Sequence, residues 1–159
     1  MLNFKGELVA IYISPKAAAD MQAVETVQAV PGFGLKGDRY FLKQGTFTKK
    51  KDPNRPDRQV TLIAEEALSL AAEAGVAVTA QQSRRNLVTR GVPLNDLIGA
   101  EFSVGSARLR GLDLCEPCMH LEKLTAPGVL NALIHRGGLR AEIIEEGTLK
   151  PGDPINLGS

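Results

Sequence analysis

The sequence predicts a β-rich α+β domain, a mostly antiparallel β-barrel with a few capping helices. Three observations carry this. Apolar residues fall in short alternating pieces rather than at helical spacing. The pieces are separated by glycine, proline and aspartate in a chain of 159 residues with 16 glycines and 9 prolines. Only two stretches have the composition of a helix. A chain of this length is most economically a single domain, 1–159, with its core over about residues 6–157. A globule of this size buries roughly 70% of the surface its unfolded chain exposes, so it needs no covalent staples.

Taken in order, Gly6 to Ser14 (GELVAIYIS) reads as a first strand, and Val24 to Val30 as a second that ends at Pro31. PGFGLKGDRY reads as a loop, because Gly32, Gly34 and Gly37 permit positive φ and let backbone N–H groups converge. Gln44 to Arg58 (QGTFTKKKDPNRPDR) has no apolar periodicity and reads as a solvated loop or a flap over a site. Val60 to Ile63 is a buried strand, followed by a helix in AEEALSLAAEAG. There the alanines and leucines favour helix, Glu65 and Glu66 complement its positive end, and Gly75 stops it. Strands return in RRNLVTRG, GAEFSVG and ARLRGLDLC, the last two joined by Gly105-Ser106 as in a tight hairpin. A second helix is predicted over Pro127 to His135, ending before Gly137-Gly138. The tail LRAEIIEEGTLKPGDPINLG holds two strands around Pro151-Gly152-Asp153. GAEFSVG and GDPINLG echo one another, as two similar barrel strands would.

Composition narrows the function. With 43% hydrophobic and 23% charged residues the chain is an average globular one, and neither a long apolar run nor a signal-type start appears at MLNFKGELVA. A cytoplasmic protein without membrane attachment is expected. Nineteen basic against eighteen acidic residues leave a net charge of +1, which excludes the strongly basic balance of a dedicated nucleic-acid binder. A small-molecule partner is expected instead.

The chemistry is concentrated in LCEPCMHLEK, residues 114–123, which holds both cysteines and one of the two histidines. Four readings compete. Cys115, Cys118, His120 and His135 suffice in number for zinc, but their spacing is not that of a zinc finger. A redox pair requires its first cysteine at a helix N-terminus, whereas Cys115 closes an alternating run with Leu112 and Leu114. Both thiols could be small buried hydrophobes. The fourth reading is one reactive thiol: Pro117 fixes its own φ and disfavours helix at Glu116, so a rigid turn presents Cys118. A free thiol with a pKa of about 8.5 is only about 3% thiolate at neutral pH, so such a cysteine needs cations nearby. Arg39, Arg84, Arg85, Arg90, Arg136 and Arg140 are the candidates.

The succession GLKGDRY, RQVTLIAEEAL, RRNLVTRGVPLNDLIGAEFSVG, LCEPCMHLEKL, ALIHRGGLRAEII and GTLKPGD resembles MOSC domain proteins, the stand-alone form of the C-terminal domain of molybdenum cofactor sulfurases. The resemblance implies a MOSC-type barrel whose loops at one end surround a cysteine, matched here by Cys118. That cysteine would carry sulfur as a persulfide or ligate molybdenum. The implied ligand is molybdenum cofactor, a pterin bearing a phosphate, or a related anion. Gly37, Asp38 and Arg39 match the family's GDR segment, Arg84, Arg85 and Asn86 its RRN segment, and His135, Arg136, Gly137 and Gly138 its HRGG segment. The arginines would bind the anion and stabilise a thiolate, and the glycines would allow close backbone approach. Cys115 is an auxiliary thiol that could resolve a persulfide or disulfide on Cys118.

Plainer roles stand beside these. Asp38 could cap a turn or pair with Arg39. Arg84 and Arg85 would face opposite ways in a strand, so that at most one enters the cleft. His135 could serve a helix dipole. Tyr40 stands where many relatives have histidine, and phenol titrates too high for acid–base work at neutral pH. The chain has no pyridoxal-phosphate desulfurase domain, so pyridoxal phosphate attaches to it only by family association. Sulfur would come from a separate cysteine desulfurase, and a molybdoenzyme is a conceivable further partner. The competing functions are a non-catalytic delivery module for a phosphate-bearing ligand and a CxxC redox or zinc protein.

Overall fold

A computed structural model describes residues 3–16, 19–42, 59–115, 128, 133 and 136–158. Its strands are β1 (Gly6–Ile13), β2 (Gln22–Ala23), β3 (Val27–Val30), β4 (Gly34–Leu35), β5 (Val60–Ala64), β6 (Leu87–Arg90), β7 (Glu101–Val104), β8 (Ala107–Leu114), β9 (Leu139–Glu145), β10 (Gly147–Leu149) and β11 (Pro154–Asn156). One α-helix, α1 (Glu65–Glu73), follows β5 directly, and Leu94–Leu97 forms a 3-10 turn.

Seven strands close in the order β1, β6, β5, β9, β8, β7, β11, and β11 returns to β1 through Gly6 opposite Ile155. The wall is antiparallel except between β5 and β6, which run parallel. Parallel neighbours cannot be joined by a hairpin, and the crossover here contains α1. β2 lies outside the closed ring on β1, while β3, β4 and β10 form a separate small sheet.

The alternation read from the sequence is the alternation of burial. Along β8, Ala107, Leu109 and Gly111 are buried and the residues between them are not, and β9 repeats the pattern with Leu139, Ala141 and Ile143. These side chains fill the barrel with Leu8, Leu62, Phe102 and Ile155. β5 instead has four consecutive buried residues, because its outer face is covered by α1. Ile63 and Val88 pack there against Ala67, Leu68, Ala71 and Leu133. The helix ends as expected at Gly75 (φ 90°), where the Gly75 N–H donates to the Ala72 carbonyl at 3.0 Å and the Val76 N–H to that of Ala71 at 2.9 Å.

Several expectations change. The predicted second strand, Val24 to Val30, forms only over β3, which belongs to the small sheet, while β2 lies just before the predicted span and pairs with β1. PGFGLKGDRY is not wholly loop, since β4 pairs back on β3, and Gly32, Gly34 and Gly37 do take positive φ. The tail carries β9, β10 and β11, and β10 and β11 join different sheets rather than each other. The 105–106 hairpin is as read, with Val104 opposite Ala107, and the two echoing segments are β7 and β11, hydrogen-bonded neighbours in the barrel. The loop 44–58 and most of the helix expected over 127–135 lie outside the described residues.

Candidate functional site

The GDR segment follows β4 and is built around a buried carboxylate. Asp38 is fully buried; its Oδ1 accepts from the Ser14 N–H at 3.0 Å and from Arg39 Nη1 at 3.3 Å, and its Oδ2 accepts from the Tyr40 N–H at 3.3 Å. It therefore shapes its own turn and pairs with Arg39 at once. Burial pushes the Asp38 carboxyl above its ordinary pKa, and the Arg39 charge and these N–H groups pull it partly back. Arg39 is buried as well. Its Nη2 donates to the Arg84 carbonyl at 3.1 Å, its Nη1 lies 3.4 Å from Met21 Sδ, and the guanidinium sits 4.5 Å from the Tyr40 ring centre.

The RRN segment is not the start of a strand, since β6 begins only at Leu87. Arg84 has φ 60°, and among the described residues it is the one non-glycine with positive φ. That left-handed step is uncommon for a side chain of this size and costs of order 1–3 kcal/mol. Arg84 Nη1 donates to the Ala19 carbonyl at 2.7 Å. Its pKa lies below the ordinary arginine value, first because of burial and then because of the Arg39 charge. Arg85 takes another direction: Nε donates to the Gly137 carbonyl at 2.7 Å and Nη2 to the Cys115 carbonyl at 2.9 Å. Asn86 is fully buried at the head of β6. Its Oδ1 accepts from the Thr61 N–H and hydroxyl at 3.0 and 3.2 Å, and its Nδ2 donates to the Tyr12 carbonyl at 3.1 Å, joining β5 to β1.

Cys115 directly follows β8, one residue beyond the strand it was expected to close, and is buried, with its N–H donating to the Gly138 carbonyl at 2.7 Å. Gly137 and Gly138 are buried, and a Cβ on Gly138 would run into the Leu62 carbonyl. The close approach that Gly138 permits is to strand β5. Arg136 is exposed and lines a cavity of about 190 Å³ with Asn95, Asp96, Leu94 and Ala67.

Three of the predicted segments thus meet. Arg39 ties GDR to RRN, and Arg85 ties RRN to both Cys115 and Gly137. Two candidate cations stand elsewhere. Arg90 is exposed on the outer wall, bonded to Glu65 at 2.7 Å and Glu7 at 3.0 Å. Arg140 alternates with the buried Leu139 and Ala141 and so faces outward. Cys118, His120 and His135 lie outside the described residues. Among those described, no group of three histidine, cysteine, aspartate or glutamate side chains is placed to hold a metal, and no helix is long and apolar enough to cross a membrane. Ser14, Met21 and Thr61 were not singled out from the sequence. Ser14 and Met21 belong to no motif and Thr61 only to the RQVTLIAEEAL segment, and the fold alone brings them to Asp38, Arg39 and Asn86.

A closed mixed barrel with GDR, RRN and RGG segments meeting at its strand ends defines a class, and the family comparison gives that class a name. The model of the MOSC domain matches residues 48–156, and the chain belongs to this family, which is linked to molybdenum cofactor binding. The fold is similar to that of the YuaD protein from Bacillus subtilis, with a TM-score of 0.81 at 18% identity over 98% of this chain and 96% of that one. It is also similar to YiiM from Geobacillus stearothermophilus, with a TM-score of 0.72 at 19% identity over 97% of this chain and 75% of that one. YiiM from Escherichia coli gives 0.66 at 20% identity over 100% and 71%. No curated protein matches the chain significantly in sequence.

Proposed function

We propose that the chain binds molybdenum cofactor, or a related anionic ligand, where the GDR and RRN segments meet, with Cys118 as a persulfide carrier or molybdenum ligand. The observation that carries this is the charge balance there. The guanidiniums of Arg39 and Arg84 lie close enough to repel one another, beside the buried carboxyl of Asp38 and the exposed residue Asp20. Arg84 pays for its position in backbone conformation, in desolvation and in repulsion from Arg39. An oxyanion beside it would relieve the last two. Arg84 is half-buried and Arg39 buried, which makes Arg84 the guanidinium of this pair that reaches solvent.

These residues suit the cofactor in kind: guanidiniums for phosphate, and in Cys118 a soft thiolate for molybdenum. When bound, the cofactor would supply a redox-active metal. The chain's own part is to hold the anion through Arg84 and to keep Asp38 and Arg39 locked beneath it. In the carrier version, the Cys118 thiolate attacks the terminal sulfur of a donor persulfide. A Cys118 persulfide forms as the donor's S–S bond breaks and its thiolate leaves, the donor being supplied by a separate desulfurase. Pyridoxal phosphate has no role in this reading, and Lys36, next to the GDR segment, is exposed.

Molybdenum and pterin are to be quantified in protein purified from cells making the cofactor, for the wild type, Cys118→Ser and Arg84→Ala. The expected result is ligand in the wild type and loss in Arg84→Ala. Ligand retained at wild-type stoichiometry in both variants would sink the reading. Intact-mass analysis after exposure to a persulfide donor separates the two versions, since a one-sulfur gain absent from Cys118→Ser marks the carrier.

A further inference from the structure

We propose that the cavity enclosed by the start of α1, the 93–96 turn and Arg136 is a binding site for a small zwitterion: an α-amino acid with a short apolar side chain, its carboxylate on Arg136 and its ammonium on Asp96. The cavity has a volume of about 190 Å³; Ala64, Ala67, Pro93 and Leu94 give it apolar walls, and Asp96 and Arg136 supply charge. At about 30 Å³ per water it has room for roughly six waters, or for a molecule of fewer than about ten non-hydrogen atoms. Arg39 and Arg84 do not line it, so it is separate from the place read above as the anion site.

The local sequence sets each charge in place. In the 3-10 turn Leu94–Leu97, residues three apart share a face, and Leu94 and Leu97 are both buried, which leaves Asp96 on the outer side, exposed. The Asp96 N–H donates to the Pro93 carbonyl at 3.0 Å, so the backbone that carries the carboxylate is itself tied. Arg136 is fixed from the other side. Its N–H donates to the Leu133 carbonyl at 2.9 Å, and the two glycines after it are buried, Gly138 against the Leu62 backbone. Small side chains at 64 and 67 leave the cavity open.

Arg136 and Asp96 line one small cavity, yet neither belongs to an ion pair of the described residues, among which Arg39, Arg90, Arg108 and Arg110 each hold a carboxylate. Both are therefore open to a ligand. A guanidinium meets a carboxylate with two parallel N–H bonds, and an ammonium donates to a carboxylate. A purely anionic ligand would be repelled by Asp96 and a purely cationic one by Arg136, whereas a molecule carrying both charges satisfies both. The apolar walls suit an aliphatic side chain and would leave a further charged group without a partner.

Backbone amide shifts of isotope-labelled wild-type protein are to be followed by NMR during titration with L-alanine, L-valine and L-methionine. N-acetyl-L-valine and L-valinamide, which lack the ammonium and the carboxylate respectively, are titrated beside them. At least one of the three amino acids should shift residues 64–67, 93–96 and 136–138 in a saturable manner, with a Kd of about 1 mM, a modest efficiency for so small a ligand. The two blocked derivatives should bind at least about tenfold more weakly than L-valine, each having lost a charge-assisted contact. Arg136→Gln and Asp96→Asn should each weaken binding of the preferred amino acid by about tenfold or more. Their thermal midpoints should stay close to that of the wild type, because both side chains are exposed and outside any ion pair of the described residues. No saturable shift with any of the three amino acids, blocked derivatives that bind as well as L-valine, or variants that bind like the wild type would each overturn the site. Shifts that saturate only around Arg39 and Arg84 would overturn it as well.

Discussion

Asp38 and Arg39 bring opposite charges under the surface within one turn, and their ionisation is coupled to folding. Burial holds the Asp38 carboxyl above its ordinary value of 3.8, so in the window between that value and its raised pKa the folded chain binds more protons than the unfolded one. Its stabilising contribution is present at low pH and is lost as pH rises through the raised pKa. Urea midpoints measured between about pH 4 and pH 7 should therefore fall less with rising pH in Asp38→Asn than in the wild type. An equal slope in both proteins would refute this account of Asp38. The cysteines differ as sharply. Cys115 is buried, so it should resist alkylation in native protein and react when the chain unfolds. If Cys118 is the open thiol, one fast-reacting equivalent should appear in native wild type and vanish in Cys118→Ser, as mass spectrometry of the alkylated protein would show.

At the scale of elements, the site depends on how tightly β9 lies on β5. Gly138 has φ 116° and lies against the Leu62 backbone, so Gly138→Ala is strained in conformation and collides with a carbonyl that cannot move alone. It should cost at least about 2 kcal/mol in denaturant unfolding. Helix α1 is attached differently. Glu65 accepts from Arg90 at the end of β6, and Glu66 accepts from the Gly91 N–H at 2.8 Å. Arg90 holds the Glu65 carboxyl below its ordinary value, but the pair is exposed. Arg90→Ala should accordingly leave the denaturation midpoint close to that of the wild type and the ligand content unchanged.

For the molecule as a whole, the closed barrel turns separate stretches of chain into neighbours. β11 returns to β1, and β5 and β6 lie parallel with α1 laid over them, so the GDR, RRN and RGG segments come to the same strand ends from far apart in sequence. The filling of the barrel sustains this arrangement. Phe102 is fully buried in it, and Phe102→Ala should cost about 3–5 kcal/mol by calorimetry or chemical denaturation. Loss of ligand should follow, with faster hydrogen exchange on every barrel strand.

The sequence by itself determined the barrel class, most strands of its wall, helix α1 with its glycine stop, and the family, because alternation, turn residues and motif order are local properties that a linear reading detects. It also marked Asp38, Arg39, Arg84, Arg85 and Asn86 as residues of one site. Only the tertiary structure decided which partners each arginine bonds. Arg84 and Arg85 are adjacent in the chain and identical in type, yet Arg84 takes a left-handed step and bonds the Ala19 carbonyl while Arg85 bonds those of Cys115 and Gly137. The placement of β3 in the small sheet and the exclusion of Arg90 and Arg140 were likewise decided by strand pairing. Partner choice depends on groups distant in sequence, and no spacing within a segment encodes which of them will be opposite it.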